Sequence, residues 1–512
     1  MLDKVRKHGV SILCVAILCV YLIAMGIVNF SGNPDFYVTD MYSDMNYAAE
    51  VWMQKTVFPE GWVFGNQLYA VATPVLAACF YGLTANHCIA LAMATTVMGI
   101  GILLSFDWML KPVLPSVSPR LIGTVGFLSL VLSSGDMYYM EDGWQLFFTM
   151  GSYYACYAIA VFLAFGCYLR WDSEGSVRFA GILAFTCLLS FGTGIQSLRQ
   201  TAVMVCPLIA VEALFMICRA VRKEKIITRS TLITGLICTA NLAGVLYSKW
   251  ISVDQVEIFG NIELARISRL PGNFITSLLK IVSLLIPGTL GIALLLIIFA
   301  LLAVLFYRMI TEKNQKAILC LSLLILGVAA IAAVDTLTTM SVRNIYYFLL
   351  YPLLAVMGAF LYSCLGRGIR AVITITLVLI FAFNCTARIF PTIRNAVPNA
   401  AYEEVVSYLE ENRITTVYSG WNCGEKIAMT SDWQITAGFW GAHDEPFVPV
   451  KFLCNPTVFD AEASHCAYIF IGEADAAVGV QAAEQRNADL TLEKYFAESD
   501  IYVFTSTEKL MQ

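Results

Sequence analysis

Apolar runs of about twenty residues recur along this chain from residue 10 to residue 387 and then stop. A run of that length matches the roughly 30 Å hydrocarbon layer of a bilayer, where the backbone must satisfy its own hydrogen bonds within a helix. The composition agrees, since 59% of the 512 residues are hydrophobic and only 13% are charged. The sequence therefore predicts an α-helical polytopic membrane protein.

Nine of these runs are long enough to be assigned directly as membrane spans. The first, 10–30, follows a basic start, but a cleavable signal peptide would have a shorter apolar centre and a small-residue cleavage site. We therefore interpret it as a retained span. Three further runs, 68–84, 87–106 and 120–134, bring the expected total to about 11 to 13 transmembrane helices. The other assigned spans are 149–169, 178–192, 200–218, 231–250, 283–306, 317–334, 346–364 and 371–388.

Short basic loops predict the orientation, because cytoplasmic loops carry an excess of lysine and arginine. They place the amino terminus in the cytoplasm of a multi-pass cell-membrane protein, and they place the loop 31–67 and the carboxy-terminal tail outside. Both loops that flank the run of three apolar segments are then external, so only two of the three segments can cross. The basic loops are 1–7, 170–178, 219–229, 308–316 and 367–370.

The tail changes character near Pro391 and Pro398, where charged residues become regular and apolar runs shrink to strand length. This divides the chain into a multi-span membrane domain, 1–390, and a small soluble extracytoplasmic α+β domain, 399–512. Three cysteines in the second part allow at most one internal disulfide, whose pairing stays open. The expected elements of the tail are a helix over 402–412 and strands at 415–419, 467–471 and 500–505.

The first external loop, 31–67, sets several acids among aromatic residues, a composition that argues against disorder. If its segment 40–52 is helical, Asp40 and Asp44 lie on one face, with Tyr47 beside Asp44. Two such carboxylates would accept a proton from a hydroxyl or hold a divalent cation beside a phosphate. The alternative is that both are solvated loop residues. Asp44, which an apolar and aromatic stretch follows directly, is the first candidate.

Three further groups of charged residues are candidates. Glu141 and Asp142 lie against the start of a span, where acids are less expected than aromatic residues. Arg343 begins a span from the external side, and a guanidinium fork suits a phosphate. The alternative is that it reaches lipid headgroups, as arginines at span ends do. Arg199 fits the same interpretation.

Several kinds of function find no support in the sequence. No basic face is concentrated anywhere, so nucleic acid is excluded as a partner. No phosphate-cradling glycine loop, G-x-S-x-G or H-E-x-x-H motif occurs. His443, Asp444 and His465 in the tail do not match zinc or calcium spacing, and the lone His87 is interpreted as structural. The cofactor remains unidentified, with a divalent cation at the loop acids as the one possibility.

The order of these features resembles the GT-C class of membrane glycosyltransferases, which includes protein O-mannosyltransferases and aminoarabinose transferases. A first span is followed by an acidic external loop (TDMYSDMNYAAEVW), several apolar segments, a second acidic-aromatic loop (MYYMEDGWQLFF) and an external soluble tail. The chain lacks the adjacent Asp-Glu pair of that class. Gly65-Asn66-Gln67-Leu68-Tyr69 stands in place of its His-Pro-Pro motif.

The resemblance implies transfer of a sugar, with inversion, from a polyprenyl-phosphate donor to a glycan, lipid or protein acceptor on the external face. It implies that the catalytic acid is Asp44 or Asp40 and that a second acid is Glu141 or Asp142. It also implies that Arg343 binds donor phosphate. Arg199 is a weaker candidate for the same role, from its sequence context alone.

Other functional classes remain open. A polysaccharide polymerase and a lipid-linked glycan transporter or flippase are also polytopic, but a transporter is expected to keep ionisable residues within its spans. Here the acids collect in the external loops. A non-catalytic envelope protein would need far fewer spans to anchor the tail.

Overall fold

The computed structural model describes residues 2–133, 147–149, 154–172, 176–256, 264–273, 275–276, 279, 289–337, 347–395, 400–421, 423–442 and 445–511. Within these ranges, seven helices are long and apolar enough to cross a membrane, and five further apolar helices are shorter. The predicted α-helical polytopic fold is confirmed. Each of the nine assigned spans overlaps one of these helices.

The helices of the membrane part follow the apolar runs closely, because in a bilayer only a helix pairs every backbone group within one segment. One further helix, α2, lies in the first external loop. In chain order the helices are α1 (Leu2–Asn29), α2 (Thr39–Gln54), α3 (Thr73–Thr84), α4 (His87–Leu110), α5 (Val117–Ser133), α6 (Ala155–Tyr168), α7 (Val177–Gln196), α8 (Leu198–Val221), α9 (Arg229–Ser248), α10 (Thr289–Thr311), α11 (Gln315–Leu337), α12 (Leu350–Cys364) and α13 (Arg367–Asn395).

Helix α3 explains the odd number of apolar runs after the first loop. It has only 12 residues, which rise about 18 Å and fall well short of the roughly 30 Å hydrocarbon layer. It lies along α2: the Tyr69 carbonyl, just before α3, accepts a hydrogen bond from Tyr47, and Gly82 near its end packs against the Trp52 ring. Because α3 lies along the loop helix, we expect α3 to be the one of the three segments that does not cross the membrane.

Two of the predicted cytoplasmic loops, 170–178 and 308–316, lie against each other at one end of the helices. Lys316, at the start of α11, is 2.7 Å from the carboxylate of Asp172, just after α6. The guanidinium of Arg170 stacks over the Trp108 ring near the end of α4, at 3.7 Å. The orientation predicted for this end, toward the cytoplasm, stays a prediction.

The tail forms a six-stranded mixed sheet with three short helices packed on it. Its strand order is β5-β4-β3-β6-β8-β7, in which β3 is parallel to β4 and β6 while the other pairs are antiparallel. The elements are α14 (Ala400–Glu411), β3 (Thr416–Ser419), α15 (Gly424–Thr430), β4 (Thr436–Ala442), β5 (Glu445–Pro449), β6 (Cys466–Ile471), α16 (Glu473–Gln485), β7 (Thr491–Phe496) and β8 (Ile501–Thr505).

The α+β character of the tail is thus confirmed, together with its first helix and the strands β3, β6 and β8. Sequence inspection misses three strands. β4 contains two glycines, β5 contains two prolines, and β7 (TLEKYF) is largely exposed and has two adjacent charged residues at its centre. Each pattern weakens the hydrophobic signal of a strand. The tail cysteines Cys423, Cys454 and Cys466 are free thiols.

The first external loop and the tail pack directly on each other. Lys426 of α15 lies 3.0 Å from the carboxylate of Asp35, and the Trp433 indole donates to Asn46 of α2 at 2.8 Å. The strand β1 (Val63–Phe64) pairs with β2 (Asp254–Gln255), and Val63 exchanges backbone hydrogen bonds with the tail segment 453–454. The loop, the segment after α9 and the tail therefore lie on one side of the membrane part.

Candidate active site

Helix α2 confirms the helix expected in the first loop and presents two functional faces. Residues 40, 44, 47 and 51 are spaced four and three apart and share the face toward α3 and the membrane part. Residues 42, 46, 49 and 53 share the face toward the tail. Asp40, Asp44 and Tyr47 therefore point away from the tail sheet.

Asp44 is buried, with 1% of its surface exposed. Neither carboxylate oxygen has a hydrogen-bond partner among the described residues. Burial raises the pKa of Asp44 well above its usual value, the negative charge of Asp40 adds to the rise, and the Tyr69 hydroxyl opposes it without outweighing it. A buried carboxyl held at this cost is a candidate for proton transfer.

The segment that stands in place of the His-Pro-Pro motif packs against Asp44. The Tyr47 hydroxyl lies 2.8 Å from the Tyr69 carbonyl, and the two rings are 5.2 Å apart. Burial raises the pKa of Tyr69 well above its usual value, and the charges of Asp44 and Asp40 raise it further. Tyr69 is thus the hydroxyl that stands beside the buried acid.

A hydrogen-bonded chain leads from this segment into the membrane part. The Tyr157 hydroxyl of α6 donates to the side-chain oxygen of Gln67 at 2.6 Å and accepts from Gln196 of α7 at 3.0 Å. Tyr157 also lies close enough to Tyr69 for their hydroxyls to interact electrostatically. These contacts fix the loop end against helices α6 and α7.

Arg199 enters the same neighbourhood from the start of α8. It is half-buried and donates from Nη1 to the Tyr154 hydroxyl at 2.9 Å. The Tyr154 ring in turn lies 5.9 Å from the Tyr157 ring. The structure therefore places Asp44, Asp40 and Arg199 around one tyrosine cluster, defined as Tyr69, Tyr154 and Tyr157.

The other candidate residues lie outside the described ranges, except for His87 and His465. Glu141, Asp142 and Arg343 lie outside the described residues, as do His443 and Asp444 of the tail. His87 packs between the rings of Tyr81 and Trp433 at 4.7 and 4.1 Å, in keeping with its structural interpretation.

Asp40 and Asp44 are the residues that could hold a divalent cation at this site. In the part of the chain that the structure covers, no three histidine, cysteine or acidic side chains converge on one point. A hard cation between the two carboxylates would complete its oxygen shell with water and a donor phosphate.

Two features of the site are not predicted by the sequence. Tyr69 and Tyr157 lie far from Asp44 in the chain, and only the fold makes them neighbours. Glu425 in α15 is fully buried beside the first loop, and burial raises its pKa to about 7 despite the nearby Lys426 and Thr39. In the sequence GEKIAMT, Glu425 lies in the first turn of a helix, where glutamates are usually exposed. The neighbouring residues therefore do not indicate that Glu425 is buried.

Comparison with solved structures identifies the fold. The chain is similar to ArnT from Cupriavidus metallidurans in the apo state, with a TM-score of 0.55 and 10% identity over 99% of both chains. It is also similar to the same protein bound to undecaprenyl phosphate, with a TM-score of 0.50 and 11% identity over 99% of both chains. No protein-family model and no curated protein matches the sequence. The predicted GT-C-like membrane fold is confirmed.

Proposed function

We propose that this GT-C-like membrane protein is an inverting glycosyltransferase. It moves a sugar from a polyprenyl-phosphate-linked donor to an acceptor hydroxyl on the external face of the cell membrane. The observation that carries the proposal is Asp44, a buried carboxyl with a raised pKa that shares a tyrosine cluster with Arg199.

Asp44 serves as the general base. Its carboxylate takes the proton of the acceptor hydroxyl while the oxygen attacks the anomeric carbon of the donor sugar. The bond from that carbon to the phosphate oxygen breaks, and polyprenyl phosphate leaves with the electron pair. A base works best when its pKa lies near the working pH, and burial moves Asp44 in that direction. Asp40, one turn earlier, is the alternative base or the second ligand of a cation.

Arg199 offsets the charge that develops on the leaving phosphate. A guanidinium presents paired donors to phosphate oxygens, and it does so more strongly in a site that excludes water. Arg343 would act with it, and Glu141 or Asp142 would supply the second acid, as the family resemblance implies.

The lipid donor is supported by the solved structures. One of the two ArnT structures contains undecaprenyl phosphate, and the present chain shares that fold over 99% of its length. We extend this lipid to the present chain as donor carrier, with the membrane lipid phase as its route to the site. The membrane domain 1–390 would then hold the donor, and the soluble domain 399–512 would lie outside the cell membrane.

A transport function is less consistent with the polar groups inside the spans. Glu212 of α8 is a buried acid, but its carboxylate bonds Arg219 at 2.9 Å, Thr231 at 2.7 Å and Tyr168 at 3.0 Å. A carboxylate satisfied in this way is built into the packing and is poorly placed to bind a moving ion.

The test compares Asp44→Asn with Glu60→Gln, which removes an exposed acid from the same loop. Full-length protein in nanodiscs is given a panel of undecaprenyl-phosphate sugars and a membrane extract as acceptor, and the release of undecaprenyl phosphate is measured. Loss of the base lowers turnover by about 10²- to 10⁴-fold in D44N, whereas E60Q retains wild-type turnover. Wild-type turnover should rise with pH through a pKa above the ordinary carboxyl range.

Normal turnover by a well-folded D44N protein would exclude Asp44 as the base. No release from any donor in the wild-type protein would count against the transfer reaction itself.

A further inference from the structure

A cleft of about 590 Å³ separates the tail-facing side of α2 from the tail sheet. Tyr42, Asn46 and Glu50 form one wall, on the opposite side of α2 from Asp44. Trp421, Phe439 and Phe452 form part of the other wall. We call this space the aromatic cleft. We infer that it binds an uncharged oligosaccharide segment of the acceptor.

The first support is a continuous strip of rings along the cleft. Trp433 stacks on Tyr42 at 5.9 Å, Tyr42 meets Phe439 at 5.9 Å, and Trp421 stacks on Phe439 at 6.2 Å. Phe452 lies 6.3 Å beyond Trp421. Tyr42 and Phe439 are buried and Trp433 lies stacked between Tyr42 and His87, so these three rings support the strip. Trp421 and Phe452 are half-buried, and the C–H face of a pyranose ring packs well on rings of this kind.

The second support is the hydrogen-bonding capacity between the rings. The indole N–H groups of Trp421 and Trp433 already bond Gly441 and Asn46, so these rings are held in place. Glu50 and Asp460 add carboxylates that accept from sugar hydroxyls. A few polar groups on a mainly apolar lining are typical of small-molecule sites.

The third support is charge. The described residues that line the cleft include Glu50 and Asp460 but no lysine or arginine. Asp460 is ion-paired with Lys509 at 3.6 Å, so the like charge that an anionic ligand would meet in the aromatic cleft is that of Glu50. The cleft favours a neutral or N-acetylated saccharide over a phosphorylated or uronic one.

The fourth support is length. A second cavity of about 490 Å³ adjoins the aromatic cleft and shares Asn455, Thr457, Phe459 and Asp460 with it. The segment 455–460 lines both cavities, and Lys451 and Lys509 line the second one. A ligand that extends from the aromatic cleft into the second cavity would need several sugar units.

This inference rests on the proposed transfer reaction in one respect, namely that the saccharide is called the acceptor. Saccharide binding itself can be tested separately, because the cleft and the Asp44 site lie on different faces of α2. The full-length protein in nanodiscs is titrated with maltotetraose, chitotetraose, mannotetraose, an anionic tetragalacturonate and a Ser/Thr-rich peptide. Binding is followed by saturation-transfer NMR, which reports sugar protons in contact with the protein.

At least one neutral tetrasaccharide should bind saturably, and Trp421→Ala and Phe452→Ala should each weaken it by about tenfold. Trp52→Ala is the matched control, because Trp52 is an exposed tryptophan on α2 that does not line the cleft. It should leave binding unchanged. Melting temperatures confirm that each variant is folded.

The inference fails if no neutral saccharide binds, if only the uronic saccharide or the peptide binds, or if W421A and W52A behave alike. D44N should keep saccharide binding while losing transfer. Saccharide binding by a protein that releases no undecaprenyl phosphate would support the cleft and contradict the transfer reaction, so the two failures are distinguishable.

Discussion

Asp44 and Arg199 contact different members of one tyrosine cluster. Tyr69 lies beside Asp44, whose charge raises the pKa of the Tyr69 hydroxyl. Arg199 donates a hydrogen bond to the Tyr154 hydroxyl at 2.9 Å. In the proposed reaction Asp44 would meet the acceptor hydroxyl and Arg199 the donor phosphate, so the two side chains would act on separate parts of the substrates.

Replacing Arg199 should affect the donor more than the acceptor. A hydrogen bond to a charged group contributes roughly 1.5–3 kcal/mol, so Arg199→Gln should raise the KM for the polyprenyl-phosphate sugar by roughly 10- to 100-fold. Arg199→Lys should recover only part of this, because an ammonium cannot form the forked contact. The measurement is the initial rate against donor concentration.

Arg394→Gln is the control for Arg199, because it removes an exposed arginine near the end of α13. An unchanged donor KM in R199Q would show that Arg199 does not bind the donor phosphate.

The charged residues of the site could be predicted from the sequence, whereas the residues around them could not. The spacing of Asp40 and Asp44 in a helical segment is local, so the sequence alone predicts that they share a face. Tyr157 is more than a hundred residues from Asp44 in the chain. No local pattern can report that such residues meet.

At the scale of elements, helix α15 connects the tail to the first loop through a buried acid. Glu425 has 0% of its surface exposed, and burial raises its pKa from 4.5 to about 7. A raised pKa means that the folded protein holds this proton more tightly than the unfolded chain. The stabilisation is therefore complete below about pH 4.5 and is lost as the pH rises through about 7.

Glu425→Gln should remove this pH dependence. The wild-type melting temperature should fall between pH 5 and pH 8, by an amount equivalent to at most about 3 kcal/mol, whereas the variant should change less over the same range. Glu410→Gln, at an exposed position of α14, should retain the wild-type dependence. Identical pH profiles for E425Q and wild type would show that Glu425 does not titrate in this range.

The short helix α3 should leave residues 69 and 85 on the same side of the membrane. Alkaline phosphatase inserted after Ala85 should be active, because the enzyme folds only outside the cytoplasm. Insertion after Lys111, at the end of α4, should give an inactive enzyme, while green fluorescent protein placed there should fluoresce. An inactive phosphatase at position 85 would mean that α3 crosses the membrane after all.

At the scale of the whole molecule, the loop and the tail behave as one cap over the membrane part. The ion pair Asp35–Lys426, at 3.0 Å, joins chain segments almost four hundred residues apart. Its side chains are 35% and 18% exposed, so solvent screens the attraction only in part.

A charge-swap cycle measures how much this contact holds the cap together. Asp35→Lys and Lys426→Asp should each lower the melting temperature, and the double variant should recover part of the loss, with a coupling of about 0.5–1 kcal/mol. The pair Lys494–Glu404 is longer, at 3.8 Å, and more exposed, so its cycle should show almost no coupling. Equal coupling in both cycles would contradict a special role for the loop–tail contact.

The positions of the apolar segments, the change to a polar tail and the face shared by Asp40 and Asp44 could all be predicted from the sequence. These follow from the length, polarity and periodicity of short segments, which are properties of neighbouring residues. The position of α3 along α2, the contact of Tyr69 with Asp44 and the aromatic cleft between α2 and the tail became apparent only in the fold. Those features depend on contacts between segments that are distant in the chain. The packing of the complete fold sets these contacts, so the residues of a short segment cannot predict them.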